Sequence, residues 1–351
     1  MRQFDYSKLR DSSWDSEILS FVAQIHEYKG KQELYLRQKP IELERLIDLA
    51  RIQSTESSNK IEGIGTSNAR LRQLVEEKTT PHNRDEQEIA GYRDILNTIH
   101  ESYEHIPLKS EVILQLHRDL LSYTDKTFGG NYKNTQNFIN ELHADGTSFT
   151  RFTPTEPFET PQAVHDICVE YQQALEKQVI DPLILIPIFI CDFLCIHPFN
   201  DGNGRMSRLL TTLLLYKSGY MVGKYISIEK KIEKTKEIYY AVLGKISRDW
   251  HDGMNDYTPF IKYLLGIIRN SYKDLESRLG SLDRMSTPYD IVRTAVGNTL
   301  GVFTKAQILA QCPSIGSSSV EAALKKLKEE GFILRQGGGR STTYMRNPDY
   351  H

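Results

Sequence analysis

The side chains best suited to chemistry lie together in residues 197–208, which read His-Pro-Phe-Asn-Asp-Gly-Asn-Gly-Arg-Met-Ser-Arg. His197 can accept a proton near neutral pH. Asp201 is a hard oxygen ligand of the kind that holds Mg²⁺ together with substrate phosphates. Arg205 and Arg208 provide forked donors that match phosphate oxygens. The stretch therefore indicates a site that binds a multiply charged ligand and moves a proton.

The second half of this stretch has the pattern of a loop that enters a helix. Gly202, Asn203 and Gly204 precede an apolar stripe, and the first backbone N–H groups of a helix form a natural site for phosphate. Arg205 and Arg208 are three residues apart, so we expect both to project from one side of the first turn. A P-loop pattern, Gly-x-x-x-x-Gly-Lys-Ser/Thr, does not occur in the sequence.

Each part of the stretch has an ordinary structural alternative. A histidine before a proline is more often structural, and Gly-Asn-Gly alone is a common turn. The complete combination is different, because it interrupts two apolar segments, residues 187–196 and residues 209–216. A polar loop between two buried segments favours a functional site.

The composition is typical of an ordinary soluble protein. The chain has 351 residues, with 44 Lys and Arg against 46 Asp and Glu, which gives a formal charge of −2. No global charge therefore attracts nucleic acid or a membrane. The start of the chain lacks the apolar core of a signal peptide, and no segment has the length of a membrane span. We expect a cytoplasmic protein whose four cysteines are buried, reduced thiols. They are Cys168, Cys191, Cys195 and Cys312.

Apolar spacing of three and four predicts a mainly helical fold. This spacing occurs in residues 43–52, 85–103, 110–121, 161–176 and 184–195. Residues 137–153 differ, because two β-type runs flank Ala144-Asp145-Gly146-Thr147, a sequence typical of a tight turn. We predict a β-hairpin flap there. Its edge could pair with an extended target segment.

The last 65 or so residues have the pattern of a small separate domain. Helices are predicted near residues 290–300, 304–311 and 317–330, followed by strands at 332–335 and 341–345, which is the winged-helix order. Residues 304–351 hold seven Lys and Arg against four acidic residues. The third helix has no net charge, so DNA binding is possible but not favoured. A target protein or a second copy of the chain, as in a homodimer, is the alternative partner.

Residues 197–208 match the signature of the Fic-domain family, His-Pro-Phe-x-Asp-Gly-Asn-Gly-Arg-x-x-Arg, at every specified position. The chain also resembles this family in its organisation. The resemblance implies an N-terminal helical region in residues 1–84, an all-helical Fic core with a β-hairpin flap in residues 85–284, and a winged-helix domain in residues 285–351. Fic proteins typically transfer AMP from ATP to a Ser, Thr or Tyr hydroxyl of a target protein.

The resemblance assigns a role to each residue of the motif. His197 is implied as the general base, Phe199 as the anchor of the loop and Asp201 as the Mg²⁺ ligand. Phosphate contacts are implied for Gly202, Asn203, Gly204, Arg205 and Arg208, and Tyr240 is expected near the base of the nucleotide. Family members that transfer a phosphate carry Lys in place of Gly204, so Gly204 favours nucleotidyl transfer. Transfer of another nucleotide is an alternative.

Residues 58–63, Ser-Asn-Lys-Ile-Glu-Gly, follow a helical segment and end in glycine. Ser58 and Glu62 are four apart, on one helix face. From spacing alone this is a surface carboxylate near a helix end. The stretch is similar to the inhibitory motif of Fic proteins, Ser/Thr-x-x-x-Glu-Gly/Asn, which implies that Glu62, with Ser58 and Gly63, restrains the enzyme by pairing with Arg208. Two alternative functions stay open. The chain could remove AMP from a modified target, or it could be a DNA-binding regulator whose core senses a nucleotide.

Overall fold

A computed structural model of the chain describes residues 2–38, 40–142, 147–285, 287–299, 301–312, 315–338, 342–347 and 350. The chain divides into two compact units. The first unit comprises Met1–Lys29 and Arg45–Lys273, and the second comprises Gly30–Glu44 and Asp274–His351. Most of the predicted N-terminal region therefore lies in one unit with the predicted core. The division into residues 1–84, 85–284 and 285–351 stays a prediction.

The fold is mainly α, as predicted. The helices before the first strand are α1 (Ser16–Gln38), α2 (Pro40–Ile61), α3 (Asn68–Val75), α4 (Arg84–Ser102) and α5 (Ser110–Leu120). The following helices are α6 (Thr160–Glu176), α7 (Pro182–Ile196), α8 (Asn203–Lys217), α9 (Ile228–Lys234), α10 (Lys236–Ile246), α11 (Thr258–Met285), α12 (Pro288–Asn298), α13 (Lys305–Gln311) and α14 (Ser317–Glu329). Short 3₁₀ turns cover Tyr6–Asp11, Tyr103–His105 and Met221–Lys224.

Helices α7 and α8 form the centre of the first unit and carry the motif between them. Every residue of α7 from Leu183 to Ile196 is buried, which explains its almost wholly apolar sequence. Asp181 caps its start by accepting a hydrogen bond from the Leu183 backbone N–H at 2.8 Å. The helix ends where His197 turns left-handed, at φ 52°, before a proline that cannot continue it. Residues 197–202 therefore form a short bridge between two buried helices.

The predicted hairpin is present as strands β1 (Ile139–Leu142) and β2 (Ser148–Phe152). They pair antiparallel, with Asn140 opposite Thr150 and an irregularity between Ile139 and Asn140. The predicted turn at Ala144-Asp145-Gly146 lies outside the described residues. The two strands confirm the β-hairpin itself.

In the second unit, α12, α13 and α14 precede a hairpin of β4 (Ile333–Gln336) and β5 (Thr343–Arg346). A short strand that the sequence did not predict, β3 (Val302–Phe303), pairs with β5, so the sheet order is β3-β5-β4. Val292, Val296, Phe303, Ile308 and Leu324 are among the buried core residues. The turns predicted at residues 312–316 and 337–339 fall partly outside the described residues. The order of elements follows the prediction, and the assignment as a winged helix stays a prediction.

The four cysteines are free and buried. In the described part of the chain, no helix combines the length and the apolar character needed to cross a membrane.

Candidate active site

His197 occupies the C-terminal end of α7 in a left-handed backbone conformation, with φ 52° and ψ 61°. Its Nδ1 lies 3.3 Å from the Leu194 carbonyl oxygen, so Nδ1 carries the proton and donates it to that carbonyl. The other ring nitrogen, Nε2, keeps its lone pair. Burial is the main cause that lowers the pKa of His197 to about 4, so the imidazole is neutral at pH 7. The geometry leaves His197 in the form that a general base requires.

Phe199 is fully buried and anchors the loop that follows His197. Its ring stacks on the His117 ring, with centroids 3.6 Å apart and planes at 9°. The Asn203 side chain accepts a hydrogen bond from the Phe199 N–H at 2.9 Å and donates one to the Phe199 carbonyl at 2.7 Å. The Asn203 side chain therefore fixes the loop, and its backbone N–H lies in the first turn of α8.

His117 on α5 holds the same loop from a second direction. Its Nδ1 accepts a hydrogen bond from the Gly130 N–H at 3.1 Å, which leaves Nε2 to donate to the Asp201 carbonyl at 3.0 Å. These two bonds fix one neutral tautomer. Burial is the main cause that lowers the pKa of His117 to about 4. No sequence pattern indicates this role, because His117 looks like any polar residue of an amphipathic helix.

A buried charge cluster surrounds Asp201. Lys126 pairs with Asp201 Oδ2 and, at 3.0 Å, with Glu88 Oε1. Arg205 Nη1 lies 2.6 Å from Glu88 Oε2, and its Nη2 lies 3.6 Å from Asp201 Oδ1. Burial raises the pKa of Asp201, but Lys126 and Arg205 reverse this effect and hold it below its usual value. Asp201 is therefore ionised at neutral pH.

The two motif arginines do not project together, which corrects the sequence-based expectation. Arg205 is 1% exposed and pairs with Glu88, a buried carboxylate on α4 that the sequence did not single out. Arg208 instead contacts the end of α2. The reason is that each guanidinium pairs with a different carboxylate, Glu88 on α4 or Glu62 at the end of α2, and both are far from the motif in the sequence. Arg208 alone of the pair lines the cavity described below.

Ser58 and Glu62 both bind Arg208. Arg208 Nε donates to Ser58 Oγ at 2.8 Å, and Nη2 donates to the Ser58 carbonyl and to Glu62 Oε1, each at 2.8 Å. Arg208 is buried, whereas Glu62 is about one-third exposed, at 31%. Gly63 follows with φ 82°, a conformation that favours glycine and ends the helix. The structure thus brings Ser58 and Glu62 of the second motif to Arg208 of the first, and Gly63 ends the helix that carries them.

The Glu62 carboxylate lies against the first turn of α8. A Cβ placed on Gly204 would be 2.3 Å from Glu62 Oε1 and 3.1 Å from Glu62 Cδ. A side chain at this position would therefore require the Glu62 carboxylate to move. A helix N-terminus attracts anions through its free N–H groups and its dipole. Glu62 therefore occupies a position where an anionic ligand group is favoured.

A cavity of about 1060 Å³ opens in front of these residues. His197, Gly204, Arg208 and Glu62 line one part of it, and the β-hairpin and α10 line the rest. Tyr240 on α10 also lines the cavity and is 36% exposed, whereas the neighbouring Tyr239 is buried. The volume is sufficient for a nucleotide-sized ligand.

The residues around Asp201 are compatible with Mg²⁺. Among the described residues, no group of three or more His, Cys, Asp and Glu forms a complete metal site. Mg²⁺ does not need one, because it commonly binds through one or two carboxylates plus substrate phosphates and water. The Asp201 side chain is ionised and 42% exposed, so it can supply such a ligand if Lys126 yields Oδ2.

Comparisons with known proteins agree with this geometry. Residues 107–215 match the Fic/DOC family. Protein adenylyltransferase fic-1 of Caenorhabditis elegans is 27% identical over 185 residues, which cover 53% of this chain and 31% of that protein. Protein adenylyltransferase Fic of Culex quinquefasciatus is 29% identical over 272 residues, covering 74% of this chain and 48% of the relative. The chain thus spans less than half the length of these relatives.

A solved structure extends the likeness over nearly the whole chain. The crystal structure of a Fic family protein from Desulfovibrio desulfuricans G20 superposes with a TM-score of 0.61, covers 97% of this chain and 98% of that one, and is 22% identical in sequence. At this identity the likeness establishes the fold. Together with the family match, it shows that residues 107–215 of this chain form a Fic/DOC family domain.

Proposed function

We propose that this chain is an enzyme that transfers AMP from ATP to a Ser, Thr or Tyr hydroxyl of a target protein or of itself. The observation that carries the proposal is the neutral His197, with its Nε2 lone pair unused, on the same cavity as Arg208 and the N-terminus of α8. The relatives named protein adenylyltransferase support this reaction.

In the proposed reaction, the acceptor hydroxyl gives its proton to His197 Nε2. Its oxygen forms a bond to the α-phosphorus of ATP, the bond between that phosphorus and the bridging oxygen to the β-phosphate breaks, and pyrophosphate leaves. A neutral imidazole is ready to accept the proton without first losing one. The fixed turn at His197 supports the alignment on which in-line transfer depends.

The phosphates would bind at the start of α8, where the N–H groups of Gly202, Asn203 and Gly204 lie near the positive end of the helix. The Gly202 N–H donates to Asp201 Oδ1 at 2.6 Å and would have to exchange that carboxylate for a phosphate. Arg208 would contact an outer phosphate. Asp201 would hold Mg²⁺, which when bound neutralises phosphate charge. Arg205, buried beside Glu88, would act mainly by orienting Asp201. Tyr240 would border the adenine, since it lines the same cavity.

We also propose that Glu62 restrains the enzyme. Arg208 cannot both complete its bonds to Glu62 and Ser58 and contact a phosphate with the same Nη2. The Glu62 carboxylate also lies against Gly204, next to the proposed phosphate site. ATP would then bind in a pose unsuited to in-line attack, and a small displacement of this kind costs orders of magnitude in rate.

DNA binding by the second unit is not proposed. Charged side chains of α14 pair among themselves, as in Lys325 with Glu329 and Lys326 with Glu330, each at 4.0 Å. Glu321 pairs with Lys305 of α13 at 2.6 Å. Nonspecific DNA affinity depends on Lys and Arg side chains whose charge is not already neutralised, so these ion pairs argue against DNA binding.

The direct test is label transfer from α-³²P-ATP and, separately, from γ-³²P-ATP, with Mg²⁺ and the Glu62→Gly variant. The matched control is the same variant with His197→Ala. We expect label from the α-phosphate only, on protein, and its loss with His197→Ala. Label from the γ-phosphate would contradict nucleotidyl transfer. Absence of label from both donors, with a cell lysate present as a source of targets, would contradict the proposed activity.

A further inference from the structure

Lys133 lies in the segment between α5 and β1, and its side chain is only 2% exposed. Its ammonium Nζ donates a hydrogen bond to the Ile196 carbonyl at 3.0 Å. Its backbone N–H donates one to the Pro198 carbonyl at 2.8 Å. Ile196 and Pro198 are the two neighbours of His197. One residue therefore binds the carbonyl groups of both neighbours of the proposed base.

A buried ammonium group is costly and normally has a carboxylate partner. Among the described residues, Lys133 forms no salt bridge within 4.0 Å, and its close polar partner is a carbonyl oxygen. That carbonyl belongs to the last turn of α7, where carbonyl groups have no partner within the helix and where a positive charge is favoured. The contact explains why a lysine is tolerated in this position.

The His197 turn needs such support, since a left-handed conformation is unfavourable for a residue other than glycine. Besides the bonds from Lys133, the turn is held by the His197 N–H, which donates to the Phe193 carbonyl at 3.0 Å. The Lys133 charge also acts on the imidazole itself and opposes its protonation. The negative charges of Glu62 and Asp201 favour protonation of the imidazole and raise its pKa.

We propose that Lys133 is the positioning residue of His197: its two hydrogen bonds hold the turn that presents the imidazole to the cavity. Its positive charge adds to the effect of burial, which is the main cause of the low pKa of His197. The inference rests on the proposed function, in which His197 is the base. Burial lowers the pKa of Lys133 to about 8, which leaves its ammonium charged at pH 7. Nothing in the sequence pattern distinguished this lysine from a surface residue.

The first experiment measures the titration of His197 by NMR of the imidazole ring, with the His197→Ala variant to assign the resonance. It compares the wild type with Lys133→Met, Lys133→Arg and, as a control, Lys109→Met at an exposed lysine. We expect Lys133→Met to raise the pKa of His197 by about one unit, since loss of a nearby charge has effects of this size. Lys133→Arg and Lys109→Met should leave it near the wild-type value.

The second experiment measures AMP transfer in the Glu62→Gly background. We expect Lys133→Met to lower kcat by about tenfold to a hundredfold through misalignment of the base, with KM for ATP changed by less than about twofold. The acid limb of the pH profile should move to higher pH. Lys133→Arg should recover part of the rate and the wild-type profile.

An unchanged His197 titration in folded Lys133→Met, or the same shift in Lys133→Arg, would overturn the proposal. If Lys133→Met does not fold, the neutral variant Lys133→Gln can be compared with the charged variant Lys133→Arg instead. The titration needs no substrate, so it separates the two proposals. A chain that transfers no AMP, with His197 still responding to Lys133, contradicts the proposed function and keeps the positioning role.

Discussion

Glu62 and Arg208 form an ion pair of 2.8 Å between the end of α2 and the first turns of α8, although they are 146 residues apart in the sequence. Arg208 is buried and receives Ser58 as a second partner from the same helix. The pair therefore connects the second sequence motif to the residues proposed to bind phosphate. The first two predictions below test this pair and its surroundings.

Removing the Glu62 carboxylate should release Arg208 for a phosphate. We expect Glu62→Gly to raise AMP transfer at least about tenfold, in line with one recovered catalytic alignment. Glu62→Gln should give a smaller rise, because the amide can still accept from Arg208. Glu56→Gln on the same helix is the control, since Glu56 pairs with Lys60 and not with Arg208. Equal rates in Glu62→Gly and wild type, at equal folding, would refute the restraint.

A side chain at Gly204 should displace the Glu62 carboxylate, because a Cβ there would lie 2.3 Å from Oε1. In most helices Gly→Ala stabilises by up to about 1 kcal/mol. Here we expect Gly204→Ala to lower the free energy of unfolding in the wild type and to be neutral or stabilising in Glu62→Gly. Urea denaturation of the four proteins gives the coupling, expected at about 1 kcal/mol or more. Additive effects would show that the two residues do not interact.

Glu88 is predicted to be essential for stability. It is 2% exposed and pairs with Lys126 and Arg205, which are themselves largely buried. Glu88→Gln removes the buried carboxylate that these cations share, leaves them only the partly exposed Asp201, and should cost about 3 kcal/mol. Arg84→Gln is the matched control: Arg84 pairs with the same carboxylate but is 73% exposed, so its loss should cost less than about 1 kcal/mol. Similar losses in the two variants would contradict a buried network.

Stability should fall as the pH is lowered below about 6.5, the usual pKa of histidine. Burial lowers the pKa of His100 to about 3, and those of His117 and His197 to about 4. Between about pH 6.5 and these lowered pKa values, the unfolded chain binds protons that the folded chain excludes. Each such histidine therefore lowers the free energy of unfolding by about 1.4 kcal/mol per pH unit in that range. His100→Gln should reduce the loss between pH 7 and pH 5 by about 2 kcal/mol.

Urea denaturation at the two pH values measures this difference. His105→Gln changes an exposed histidine and serves as the control, with the wild-type pH dependence expected. The same pH dependence in His100→Gln as in the wild type would contradict the buried neutral histidine.

The sequence predicted the helical fold, the hairpin and the motif between α7 and α8, because local patterns determine them. It did not predict the residues that hold the motif. Glu88 lies four residues after Arg84, a spacing typical of a solvent-exposed ion pair, yet the structure buries its carboxylate. His117, Lys126 and Lys133 reach the motif from other segments, and no periodicity encodes such contacts. For the same reason the sequence did not predict that Arg205 and Arg208 pair with different carboxylates, since these come from α4 and from the end of α2.

The contact between Glu62 and Arg208 joins two parts of a single polypeptide. Its strength is therefore set by an effective local concentration, which does not change when the protein is diluted. An inhibitor on a separate chain would dissociate at low abundance. Here the ratio between the occupied and open states of Arg208 does not depend on the abundance of a second, inhibitory chain.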